Sequence, residues 1–97
     1  MKDIGYSYLF QIYGRLLTAL QAEITEMYYS FDMSLAEIAE IKGVTRQSVS
    51  DTLKKVRAEL DGFEEKLGVL KRRSGLIALA ETLPEKEKNK LLDILEK

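Results

Sequence analysis

The sequence predicts an all-α protein, and three observations carry that expectation. Apolar residues recur at spacings of three and four along most of the chain, and no stretch alternates with period two. The single proline, Pro84, sits late in the chain and leaves the interior to helix formers. Thr18 with Gln21, and Ser34 with Glu37, match the capping box, in which a hydroxyl and a longer polar side chain three residues on satisfy each other's backbone N–H groups at a helix start.

The elements follow in order. Leu9, Phe10, Tyr13, Leu16 and Leu17 form one apolar face and predict a first helix over residues 6–17. Thr18 opens a second helix reaching Tyr29, with Leu20, Ile24, Met27 and Tyr28 inward, before a turn at Phe31-Asp32-Met33. Ser34 opens a short third helix over residues 35–42, with Leu35, Ile38, Ala39 and Ile41 apolar, and Gly43 ends it because glycine takes positive φ without a Cβ penalty. Thr45 caps a fourth helix that meets no strong breaker before Gly68, so it exceeds about 30 Å at the usual rise per residue. Val49, Leu53, Val56, Leu60, Phe63, Leu67 and Leu70 alternate spacings of four and three, a heptad seam. The first half of the seam fits a small helical core; the second half needs the C-terminal segment or a second protomer. Lys71-Arg72-Arg73 reads as a basic hinge. Ser74 then caps a short helix carrying Leu76, Ile77, Leu79, Ala80 and Leu83. Pro84 suits the first turn of a last helix, where Glu85 and Glu87 favour the positive end and Leu91, Leu92, Ile94 and Leu95 supply the buried side. These two helices are expected to fold back as a hairpin on the exposed seam.

Composition narrows function as well as fold. At 97 residues, 45% hydrophobic and 32% charged, the chain reads as one globular domain: a helical core over residues 6–70 and a C-terminal helical extension over 71–97. It has no cysteine and no histidine, which removes thiol nucleophiles, thiolate and imidazole metal sites and the commonest general base. No catalytic residue, cofactor or metal site is expected, and Glu64-Glu65 reads as a solvated helix face. No apolar run suits a signal peptide or a membrane span, so the expected location is cytoplasmic, with no membrane insertion.

Residues 34–57 read as a helix-turn-helix. Ala39 is small where the second helix approaches, Gly43 makes the turn, Val44 is expected to bury beneath it, and Val49 anchors the second helix. With Val49, Leu53 and Val56 inward, the outward face of the recognition helix is Arg46, Gln47, Ser50, Asp51 and Lys54, flanked by Lys55 and Arg57. Residues 44–58 carry four bases and one acid, whereas residues 19–41 carry five acids and no base. The chain is therefore two-faced despite a net charge of −1. Thr45 and the helix-start N–H groups suit a phosphate. Arg46 suits guanine or phosphate, Gln47 adenine, and Asp51 cytosine N4, provided that its charge is paired, for example by Lys54 or Lys55. Lys54, Lys55 and Arg57 suit phosphates, which position but do not specify. Lys71, Arg72 and Arg73 are either a solvated hinge or auxiliary phosphate contacts.

These residues resemble the YlxM family, small bacterial helix-turn-helix proteins whose gene typically neighbours that of the signal recognition particle GTPase. The matching blocks are Leu16-Leu17-Thr18 with Gln21; Tyr28-Tyr29, Asp32, Ser34-Leu35 and Glu37-Ile38-Ala39-Glu40; Val44, Arg46-Gln47, Val49, Asp51 and Lys54; and Glu64-Glu65-Lys66-Leu67. They span about residues 8–70, and the final 27 residues match poorly. The segment is also similar to the fourth region of bacterial sigma factors. Ser50 and Thr52 depart from the tyrosine and asparagine expected at those positions of the YlxM pattern. The resemblance implies an all-α, sigma region four-like fold and a regulatory role in the signal recognition particle pathway.

The leading expectation is a non-enzymatic, nucleic-acid-binding regulator of DNA or RNA, with a homodimer supplying two recognition helices. The competing expectation is an adaptor that docks a signal recognition particle component through its acidic face or seam. Tyr6, Tyr8, Phe10, Tyr13, Tyr28 and Tyr29 are read as packing first and as base-stacking groups second.

Overall fold

Two clusters of buried side chains line one long helix, and the rest of the chain is arranged around it. The computed structural model describes residues 2–96. In order, the helices are α1 (Ile4–Tyr13), α2 (Ala19–Tyr29), α3 (Leu35–Lys42), α4 (Arg46–Leu67), α5 (Val69–Ala80) and α6 (Glu85–Glu96), with no strand among the described residues. The all-α fold is as expected.

The local signals explain the helix starts. Both capping boxes form: Thr18 with Gln21 and Ser34 with Glu37. The Ser34 hydroxyl accepts from the Glu37 N–H, and the Glu37 carboxylate accepts from the Ser34 N–H. Those bonds, the backbone one foremost, hold the Glu37 carboxyl below its usual range. Asp32 takes a positive φ of 51° in the turn before α3. Gly43 ends α3 with φ 68°; its N–H bonds the Glu40 carbonyl and the Val44 N–H bonds the Ala39 carbonyl, a Schellman arrangement.

The first cluster is Ile24, Ile38, Ala39, Val49 and Leu53, which joins α2 and α3 to the N-terminal half of α4. Thr25 is fully buried beside it and resolves its hydroxyl by donating to the Gln21 carbonyl. The second cluster is Leu9 and Tyr13 of α1 with Val56 and Leu60 of α4, flanked by Phe10, Leu17, Phe63 and Leu70. Tyr13 meets Phe63 with ring centroids 5.8 Å apart. Each aliphatic side chain buried this fully contributes about 1.5–3 kcal/mol.

Several expectations change. α1 stops at Tyr13, because the chain tightens into a 3-10 turn over Gly14–Leu16, and this leaves Leu16 exposed. Leu20, Ile41 and Val44 are exposed too, so Val44 caps the turn through its backbone and does not bury beneath it. The second half of the seam is covered by α1, a partner not anticipated, and Leu67 at its end stays exposed. Lys71, Arg72 and Arg73 are not a hinge. The hinge is Gly68, with φ 61°, and α5 runs unbroken through the three basic residues and through Ser74, which caps nothing. Pro84 lies just ahead of α6, its carbonyl taking the Lys88 N–H. The α5–α6 hairpin forms, but α6 packs along α5 and not on the α4 seam.

Lys2 ties the N-terminal end down. Its ammonium donates to the Tyr28 and Met33 carbonyls at 2.8 and 2.7 Å, pairs with Asp32 at 3.1 Å and lies over the Tyr28 ring. A cation here also suits the negative C-terminal end of α2.

Candidate nucleic-acid interface

The first half of α4 is presented to solvent because its inner side is fully engaged. Val49, Leu53 and Val56 are essentially inaccessible, each 1% exposed or less. Their burial against α3, α2 and α1 fixes the rotation of the helix about its axis. At 100° per residue the residues between them are therefore turned outward.

Thr45 builds the entry to the helix. Its hydroxyl accepts from the Ser48 N–H at 3.0 Å and its carbonyl from the Val49 N–H at 3.1 Å. The N–H groups of Arg46 and Gln47 lie ahead of the first intrahelical bond and need an outside acceptor. The first turn contains no acid. This end of α4 therefore offers two open donors, the positive pole of the helix and the Arg46 guanidinium to an anion.

Arg46, Gln47, Asp51, Lys54 and Lys55 are all exposed, whereas Ser50 and Arg57 are half-buried at the margin. Among the described residues, Arg46, Lys54, Lys55 and Arg57 form no ion pair within 4.0 Å. The four cations are thus available to a polyanion. The Arg57 charge also reaches the Tyr6 hydroxyl, which hydrogen-bonds Asp61 at 2.8 Å; that bond, then burial, raises the tyrosine above its usual range.

Asp51 is not paired as expected. Its carboxylate accepts from the Gln47 amide at 2.9 Å, one turn back, and not from Lys54 or Lys55. The amide leaves the negative charge in place, but it couples the two residues suited to reading bases into one unit. Ser48 also lies exposed on this stretch, and no motif in the sequence singles it out.

Lys71, Arg72 and Arg73 are exposed on the first turns of α5. They are separated from the exposed side of the first half of α4 by its second half. Arg73 lines a groove between α1 and α5, and the Arg72 charge acts on Glu64.

Glu64 is the residue most misjudged from sequence. It is a cap and not a solvated carboxylate. One oxygen receives the Tyr13 hydroxyl at 2.7 Å and the Leu70 N–H at 3.0 Å; the other receives the Lys71 N–H at 3.0 Å. The Tyr13 bond leads the effects that hold its carboxyl below the usual range. Glu65 is exposed, as read. No cluster of acids able to hold a metal ion occurs among the described residues, and no described helix is long and apolar enough to cross a membrane.

Residues 1–96 match the model of the UPF0122 family, described as "Putative helix-turn-helix protein, YlxM / p13 like". The chain belongs to this family. The match extends well past residue 70, so the C-terminal helices are part of the family pattern, contrary to the expectation from the quoted blocks. A UPF0122 protein of Thermoanaerobacter sp. (strain X514) is 51% identical over 69 residues, 71% of this chain and 59% of the relative. One from Oceanobacillus iheyensis is 43% identical over 82 residues, covering 84% of this chain and 78% of the relative. One from Bacillus velezensis is 41% identical over an alignment of 104 residues, covering 99% and 94%. Against relatives such as the Thermoanaerobacter protein, the matched part of this UPF0122 chain spans about three-fifths of their length.

Proposed function

We propose that this UPF0122 chain is a regulatory protein that binds duplex nucleic acid through the outward side of α4, residues Thr45, Arg46, Gln47, Ser50, Asp51, Lys54, Lys55 and Arg57. The observation that carries the reading is the coincidence on one helix half of a buried apolar side with a solvent-facing row of unpaired cations and amide or carboxylate groups. A helix of this kind fits the major groove of B-form DNA, whereas the deep, narrow major groove of A-form RNA excludes it. DNA is therefore the favoured ligand. The helix-turn-helix family supports the same class of partner. Gln47 and Asp51 supply base readout, and Arg46, Lys54, Lys55 and Arg57 hold the backbone.

The test is a fluorescence-anisotropy titration of DNA and RNA duplexes over a range of salt. With three to four phosphate contacts, log affinity falls against log salt with a slope of about −3. Lys54→Glu combined with Arg57→Glu abolishes binding. Absence of binding to either polymer at low salt overturns the reading.

A second reading, a protein-binding adaptor for a signal recognition particle component, draws on the exposed carboxylates of Glu26 and Glu40 on α2 and α3, which make no ion pair among the described residues. An acidic surface suits a basic, RNA-binding partner. Because Glu37 is engaged in its cap, the discriminating variant is Glu26→Lys with Glu40→Lys. It weakens partner binding under this reading and leaves nucleic-acid binding intact under the first.

A further inference from the structure

Gln47 and Asp51 stand one turn apart on the exposed side of α4, and their hydrogen bond joins two groups of unequal chemistry. A glutamine amide has a donor end and an acceptor end, and these exchange places when the amide turns over. An ionised carboxylate only accepts. Asp51 therefore takes a Gln47 N–H at 2.9 Å and repels the amide oxygen of the turned-over form. One of the two amide orientations is thus selected. Among the described residues Asp51 enters no ion pair within 4.0 Å, so its carboxylate is left to Gln47. The Thr52 hydroxyl beside it donates to the Ser48 carbonyl instead.

We infer that Asp51 is a positioning residue and not a base reader: it holds the Gln47 amide in the orientation that reads adenine in an A·T pair. The inference rests on the reading of α4 as a DNA-binding helix and names a base pair that this helix selects. Gln47 is the second residue of α4 and the longer side chain, and the N-terminal residues of a recognition helix are the ones that reach base edges. With one N–H given to Asp51, Gln47 keeps a second N–H and its carbonyl oxygen. Adenine offers the matching groups in the major groove, N7 as acceptor and the N6 amine as donor. Guanine offers two acceptors, N7 and O6, so the fixed amide oxygen meets O6 with no proton between them. A turned-over amide presents donor and acceptor in the reverse order, which suits the same pair with its strands exchanged. The lock therefore separates A·T from both G·C and T·A. Closure of the groove over the helix strengthens it, because a charge-assisted hydrogen bond gains as water is excluded.

The experiment has two arms, both on the full chain. In the first, NMR of the free protein follows the Gln47 side-chain amide. One of its two protons lies downfield, and Asp51→Ala removes the displacement. In the second arm, DNA sites are selected from a pool of randomised duplexes and titrated with single base-pair changes. Wild type favours A·T at one pair by about tenfold over G·C. Gln47→Ala abolishes that preference and leaves the rest of the site unchanged. Asp51→Asn, close in shape but able to donate as well as accept, reduces it to about twofold. Asp51→Glu, which keeps an acceptor-only group, retains most of it.

An undisplaced Gln47 amide overturns the inference and leaves DNA binding standing. So does an Asp51→Asn chain that keeps the full A·T preference, or one that loses a C·G preference at a separate pair, the mark of direct reading by Asp51. A chain with the displaced amide that binds no duplex overturns the DNA reading itself, and the inference with it.

Discussion

The Tyr13 hydroxyl lies 2.7 Å from the Glu64 carboxylate, and together these two side chains receive the first three N–H groups of α5. Val69 donates to the Tyr13 oxygen; Leu70 and Lys71 donate to Glu64. A helix normally leaves these donors to its own N-cap side chain or to water. Here the N-cap is Gly68, which has no side chain, so residues from α1 and α4 perform the task and fix the direction in which α5 leaves the core.

Glu64→Gln is expected to raise exchange rates at the Leu70 and Lys71 amides while leaving the Val49 and Leu53 amides slow, as read by NMR. Tyr13→Phe gives a smaller change of the same kind, since Glu64 keeps its two backbone donors.

The same cap predicts an acid dependence. The Glu64 carboxyl is held below its ordinary value of 4.5, chiefly by the Tyr13 hydrogen bond. A depressed carboxylate contributes stability that is fully present above the unfolded value and is lost as pH falls through the folded one. From neutral pH to about pH 5 the cap is unaffected; below about pH 4.5 it loosens progressively. Amide exchange at Leu70 and Lys71 measured against pH shows this, and Glu64→Gln removes it.

Asp51→Asn is expected to tighten binding to any DNA duplex by removing a negative charge from the side that meets the polyanion, while narrowing the difference between target and non-target sequences. Competition titrations with two unrelated duplexes measure both. Equal affinity for wild type and variant would mean that Asp51 does not face the polyanion.

Leu53→Ala removes a side chain that is 1% exposed at the junction of α2, α3 and α4. A loss of about 2–5 kcal/mol is expected. Thr45→Ala, which removes only the cap on α4, costs about 1 kcal/mol. Urea denaturation distinguishes them.

Gly43→Ala isolates backbone strain. A Cβ there meets nothing within 4 Å, so only the positive φ of 68° opposes it. The expected loss is about 1–2 kcal/mol, with no change in the structure of α3. Thermal denaturation reads it as a fall in Tm of several degrees.

The starts of α2 and α3 were legible because their signals are local: a Ser or Thr with Gln or Glu three residues on needs no tertiary context. The inward row Val49, Leu53, Val56 and Leu60 was legible for a similar reason, since the heptad spacing admits one buried side. What the sequence did not reveal depends on contacts distant along the chain. Nothing near Tyr13 or Glu64 indicates that they meet across 51 residues to cap a third helix. Spacing alone likewise cannot say that α1 covers Phe63. The basic run at residues 71–73 suggested a break, yet helix formers with no breaker among them simply continue, and the break fell at the glycine before them. Ile41 and Val44 counted as core by residue type, but α3 turns Ile38 and Ala39 inward, which leaves Ile41 on its outer side and Val44, beyond its end, exposed. On α4, exposure of Arg46, Gln47 and Lys54 followed from the step angle, whereas the Gln47–Asp51 bond required knowing rotamers.

α4 supplies a wall to each of the two clusters: Val49 and Leu53 to one, Val56 and Leu60 to the other. Neither can melt without stripping a side from its neighbour. Calorimetry should therefore record a single sharp endotherm for residues on both sides of the rod, with matching calorimetric and van't Hoff enthalpies.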